Sequence, residues 1–244
     1  MAKGILLDFE SIAHHADGDP LHLLREIQDL GYEVYRREFL AACDYVMYVD
    51  SPRKGLDSAE RFLEAVFEEL GQSPKKTELM SLAPVFEELH RYTLYDDVAP
   101  ALPGLAKGRK IAVISHLPPF SVAHAIEPVK SHVFAIVTPK EAKAVPPNPT
   151  VYRTALTTMK LRAKDVLLVS PHCPDLAVAK PLGLRPVFVR RQSADASCAH
   201  AVAAIHSFLE LEVALRPTPK PAPMATKAPD APASLASPAP DKQV

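Results

Sequence analysis

The chain has 244 residues, 48% of them apolar, which allows one large domain or a core with a smaller insertion. Its 28 Lys and Arg against 29 Asp and Glu leave a net charge of -1, so no basic field suits nucleic acid and no acidic tail suits a basic partner. Only 8 glycines occur, too few for a phosphate loop built from several of them, and neither GxGxxG nor GxxxxGKS/T is present.

In chain order, Ile5-Leu6-Leu7 runs without a break into Asp8, and Glu10 follows two places on. Such a run reads as a strand buried on both faces, as in a parallel sheet. A carboxylate at its C-terminal end lies where open α/β sheets receive ligands, although an acid there can also simply cap a turn. His14, His15 and the polar residues to Pro20 read as a solvated loop; no further Cys or His stands at ligand spacing, so no metal site is expected there. Residues 21–90 read as a block of helices without strands. Leu21, Leu24 and Ile27 share one face, and Phe39, Cys43 and Val46 mark a second segment over 35–48. A turn follows at 51–55. Asp57 or Ser58 caps a helix carrying Phe62, Leu63, Val66, Phe67 and Leu70, and a last helix opens at Thr77 and bends at Pro84.

Beyond residue 98 strands alternate with helices. Strands are expected at 111–116, 133–137, 166–170 and 186–189, and helices at 121–129, from about 151, at 175–183 and at 195–215. The last of these would place Cys198, Val202, Ile205 and Leu209 on one face. Residues 217–244, rich in Pro and Ala, read as a disordered tail. Cys43, Cys173 and Cys198 are odd in number, far apart and without CxxC spacing, which predicts reduced thiols in a cytoplasmic protein rather than a zinc site or a disulfide. No apolar run approaches the length of a signal region or a membrane span.

The alternation predicts an α/β fold: a Rossmann-like parallel sheet core over 1–13 and 96–216, with a helical cap over 14–95 inserted after the first strand. In a parallel sheet all strand C-termini share one edge. Asp8, Ser115 and the Ser170, His172, Asp175 group would therefore meet there. Each has a bland explanation, as a cap or a turn residue; the conjunction points to a site. A carboxylate held at that edge under a water-excluding cap can attack carbon or phosphorus and form an ester.

These residues resemble the haloacid dehalogenase superfamily, and within it the L-2-haloacid dehalogenase-like branch, over residues 4–191. ILLDFES is similar to the opening motif, RKIAVISH to the second, PPNPTVY to the third, and VLLVSPHCPDLAVAKPLGL to the fourth. The resemblance implies Asp8 as nucleophile and Ser115 and His116 as carboxylate binders. It further implies that Tyr152 and Ser170 orient the nucleophile, that Asp175 with His172 supports the water, and that Arg36 or Arg37 on the cap receives the halide or carboxylate. The departures are specific. Pro146 stands where the third motif has its lysine, leaving Lys140 or Lys143 to reach in; Ser11 and Ile12 replace Gly and Thr; Pro171 stands where an acid often binds metal.

The resemblance thus implies a hydrolase of a small 2-haloacid that needs no cofactor, with a small molecule as partner, neither nucleic acid nor membrane, and room for a homodimer. Two alternatives stay open. One is a phosphatase with Glu10 as acid/base and Mg2+ as cofactor. The other is a non-catalytic binding protein, for which the discriminating observation is the absence of any Lys or Arg nitrogen within reach of the Asp8 carboxylate.

Overall fold

The computed structural model describes residues 2–16, 19, 21–191 and 195–214; the tail expected over 217–244 lies outside them. The first strand, β1 (Gly4–Asp8), is buried along its whole length. Its side chains alternate between two cores: Ile5 and Leu7 join one, Leu6 the other. After a one-turn helix (Phe9–Ile12) the chain forms β2 (Ala13–His15), which pairs antiparallel with β3 (Tyr92–Leu94). The histidines read as a solvated loop thus lie in a strand. His14 sits opposite Thr93, and His15 Nε2 bonds the Leu89 carbonyl. The ladder needs only three residues per side, too few to leave a period-2 pattern in the sequence.

Between β2 and β3 lie the predicted helices, His22–Asp29, Arg36–Tyr45, Ala59–Glu69 and Lys76–Leu89. Ser58 caps the third, accepting from the Arg61 amide at 3.3 Å. The fourth passes through Pro84 without ending. The turn expected at 51–55 is instead the end of a π-helix, Val46–Gly55, that continues the second helix and closes at Gly55 with φ +66°. Its wide winding keeps Val46, Met47, Asp50, Ser51 and Pro52 buried at once.

The main sheet adds β4 (Lys110–Ile114), β5 (Ala135–Val137), β6 (Val166–Ser170), β7 (Arg185–Val189) and β8 (Ala203–Ile205). All six strands are parallel, in the order β5-β4-β1-β6-β7-β8. The order runs outward from β1 in both directions, so β1 stands beside the switch point where such sheets open a crevice. β8 occupies part of the stretch where a helix over 195–215 is expected. Pairing with the free edge of β7 overrides the helical pattern there: the Val202 amide donates to the Pro186 carbonyl, and β8 continues the ladder. Among the described residues of that stretch, Phe208–Glu210 and Leu211–Ala214 are helical, and Val202 and Leu209 are exposed.

A disulfide joins Cys173 to Cys198 and corrects the expectation of reduced thiols; Cys43 alone is free. The sequence separation of 25 concealed the pairing, because the contact is made by the fold and not by spacing. Arg191, just past β7, donates to the Ser11 carbonyl at 2.9 Å and pairs with Asp97 at 3.0 Å, tying that end of the sheet to the turn after β1.

Candidate active site

The C-terminal ends of β4, β1 and β6 lie side by side and bring the predicted polar groups together. Asp8 is 3% exposed, and its Oδ1 accepts from the Glu10 amide at 3.3 Å, so it also caps the one-turn helix that follows. Its Oδ2 lies 2.8 Å from the Ser170 hydroxyl, which stands 3.0 Å from Asp175 Oδ2. Ser170 accepts from the His172 amide at 2.9 Å, fixing the turn between β6 and the helix Cys173–Ala179. A hydroxyl has one hydrogen, so Ser170 serves one of the two carboxylates at a time.

Asp8, Glu10, His116, His172 and Asp175 line a cavity of about 290 Å³ whose remaining wall includes Tyr48, Pro146 and Pro147. His172 Nε2 is 3.9 Å from Asp8 Oδ2 and makes a closer ion pair with Glu10 Oε2. His116 Nε2 is 3.7 Å from Glu10 Oε1, and its ring stacks on Tyr48 at 6.0 Å between centroids.

Environment sets the charges. Burial, then repulsion from Asp175, pushes the Asp8 carboxyl up to about 8. The Glu10 bond raises His172 to about 9, and the same bond holds Glu10 below the ordinary carboxylate range. Burial lowers His116, leaving it a neutral imidazole at neutral pH. Burial, with the Asp175 carboxylate beside it, raises the Tyr152 phenol; its hydroxyl makes no hydrogen bond of ordinary geometry.

Other predicted residues lie elsewhere. Ser115 is buried, and its hydroxyl accepts from the Leu117 amide at 2.9 Å in the turn after β4, outside the cavity wall. Arg36 is exposed at the start of the helix Arg36–Tyr45 and does not line the cavity. Lys140 does not reach Asp8: its ammonium bonds Asp57 at 2.8 Å. The Lys143 ammonium lies against Gly55, where an added Cβ would meet it at 3.1 Å. Among the described residues no lysine or arginine is one of the groups that set the Asp8 charge; the neighbouring cation is His172. Tyr48 and Pro174 are wall residues that sequence reasoning passed over. Tyr48 was counted with the periodic helix before it, and only the π-winding turns it toward His116.

Magnesium, the group implied by the phosphatase alternative, does not fit these residues. The position between Asp8 and Glu10 is taken by the His172 imidazole, which carries a proton there, and Glu10 spends its two oxygens on histidines. Among the described residues no group of three or more His, Cys, Asp or Glu is arranged to hold a metal ion.

Comparison of the whole structure with solved structures finds a 2-haloacid dehalogenase from Pseudomonas syringae pv. tomato DC3000 with a TM-score of 0.62 at 19% identity, covering 88% of this chain and 98% of that one. An L-2-haloacid dehalogenase matches with 0.59 at 18% identity over 88% and 99%. CbbY from Rhodobacter sphaeroides, solved with phosphate, matches with 0.55 at 16% identity over 86% and 96%. No protein-family description and no curated protein sequence matches the chain. The fold is therefore that of the haloacid dehalogenases: a six-stranded parallel α/β core with helices on its faces. Pro146, where the resemblance in sequence would place a lysine, stands in the wall of the carboxylate-lined cavity.

Proposed function

We propose that the protein is a hydrolase that uses Asp8 as a nucleophile on a small acid bearing a leaving group at its second carbon. The observation that carries this reading is the placement of Asp8: buried at the end of a central strand, oriented through Ser170, and facing a cavity that holds the His172 cation. An Asp8 oxygen attacks the carbon, the carbon–halogen bond breaks, and the halide leaves with the electron pair, giving an ester on Asp8. His116, neutral beside Glu10, takes a proton from water, which attacks the ester carbonyl; the 2-hydroxyacid leaves and Asp8 returns as a carboxylate. Glu10 stabilises the imidazolium formed on His116, and His172 supplies the positive charge that a lysine would otherwise bring. The net change consumes one water and releases halide and one proton.

Asp8 must be ionised to attack. With its carboxyl held up to about 8, about a tenth of the free protein is ready at pH 7, and the rate climbs as pH rises through that value. The test is halide and 2-hydroxyacid release from 2-haloacids by wild type and Asp8→Asn, followed by a single turnover in heavy-oxygen water. Label entering the Asp8 side chain supports the ester; equal turnover by Asp8→Asn overturns it.

A second reading is a binding protein that kept the fold and not the chemistry. It is favoured by one observation: among the described residues, no Lys or Arg is one of the groups acting on Asp8. It predicts that carboxylates bind while neither 2-haloacids nor phosphate esters turn over, with or without magnesium.

A further inference from the structure

Beside the carboxylate-lined cavity lies a second one, also of about 290 Å³, and Tyr48 and His116 stand in the wall of both. The second cavity is built by the helical block between β2 and β3. Phe39, Met47, Phe62 and Phe86 supply its surface, with Phe62 stacked on Phe86 at 5.0 Å. Titratable groups on this surface are held without charge at neutral pH. His90 is driven down to about 4 by burial against the Phe86 ring, and the Cys43 thiol is pushed up to about 12. A protonated buried thiol behaves as a small apolar wall. Asp44 and His15, the other polar side chains contributed by the helical block and β2, are exposed. One polar chamber holding the nucleophile therefore adjoins one apolar chamber of equal size, and a single aromatic pair divides them.

We propose that the apolar chamber receives the hydrophobic arm of the substrate, so that the preferred substrates are 2-substituted acids with a phenyl or medium-length alkyl arm rather than two- or three-carbon acids. This rests on Asp8 acting as proposed above. An apolar cavity of about 150 Å³ accommodates benzene, so about 290 Å³ leaves room for a ring with its linker. Tyr48 is half exposed and stacks on His116; rotation of its ring would join the two chambers and let the reacting carbon stay at Asp8 while the arm lies between Phe39 and Phe86.

The test compares 2-chloropropanoate, 2-chlorohexanoate, 2-chlorooctanoate and 2-chloro-3-phenylpropanoate as substrates. The expected kcat/KM rises about fourfold per added methylene until the chamber is full, from about 0.8 kcal/mol per buried methylene. Cys43→Phe, which fills the chamber from its wall, should erase that rise and leave 2-chloropropanoate turnover within about twofold, with thermal unfolding confirming that the variant folds. Turnover of the short acid with no dependence on arm length overturns the chamber assignment and leaves the Asp8 reading intact. If no haloacid is turned over, the Asp8 reading fails and the chamber is judged by binding. Cys43 is the single free thiol of three cysteines, so its modification by methyl methanethiosulfonate reports occupancy. Octanoate should slow that modification at least tenfold and acetate should not; equal rates with both overturn the proposal.

Discussion

Replacing Asp175 with Asn should convert Asp8 from a group mostly protonated at neutral pH into one mostly ionised. The Ser170 hydroxyl lies 2.8 Å from an Asp8 oxygen and 3.0 Å from an Asp175 oxygen, which puts the two oxygens within about 6 Å of each other. At that separation, with an effective dielectric of about 20, two negative charges repel by about 3 kcal/mol. Removing one of them should bring the Asp8 carboxyl from about 8 to about 6. The residual elevation would be the part due to burial, the larger of the two causes. Carboxyl-labelled aspartate followed by carbon NMR across pH 4 to 10 gives the titration directly, and the resonance missing in Asp8→Asn assigns it. If Asp8 titrates near 4 in the wild type, the buried-pair argument is wrong. If it stays near 8 in Asp175→Asn, burial acts alone and the shared hydroxyl does not couple the two acids.

Asp8→Asn should raise the melting temperature by several degrees at pH 8.5 and by little at pH 5. The folded carboxyl binds its proton more tightly than the unfolded one, so the stability it contributes is full below about 4 and lost as pH rises through about 8; Asn escapes that loss. An equal change at both pH values would count against it. His172→Gln should displace the pH profile of turnover toward alkali, since His172 is the positive charge that lowers Asp8, and an unmoved profile would remove His172 from that role. Reducing the Cys173–Cys198 bond releases a loop spanning a sequence separation of 25, worth about 3 kcal/mol. Calorimetry with and without reductant should show a melting temperature lower by about 6–12 °C, and coincident transitions would argue that the bond is absent in solution.

The parallel core was legible because uninterrupted apolar runs such as Ile5–Leu7 and Val166–Val169 have no other home than a sheet covered on both faces. Asp8, Ser170, His172 and Asp175 were legible for the related reason that parallel strands end at one edge. What sequence reasoning missed is set by pairing at a distance. The three-residue ladders of β2, β3 and β8 are too short to carry a period, and the disulfide joins segments that only the folded sheet brings together. The π-helix is invisible for another cause: the residues of 46–55 fit an α-helix and a turn equally well until Tyr48 is seen against His116. Arg36 and Ser115 mark the limit of residue-by-residue analogy. The first is exposed on its helix, and the second spends its hydroxyl on a backbone amide.

The two cores on either side of β1 divide the labour of the pocket. Tyr152 and Leu176, the latter next to Asp175, belong to the smaller core, which is made only by the sheet and the helices that lean on it. Met47, Phe62, Phe86 and Leu117, which border the Tyr48 and His116 side, belong to the larger core, which runs unbroken from the sheet into the helical block. The pair of acids thus rests on packing that belongs to the sheet, while the Tyr48 and His116 side shares its packing with the helical block.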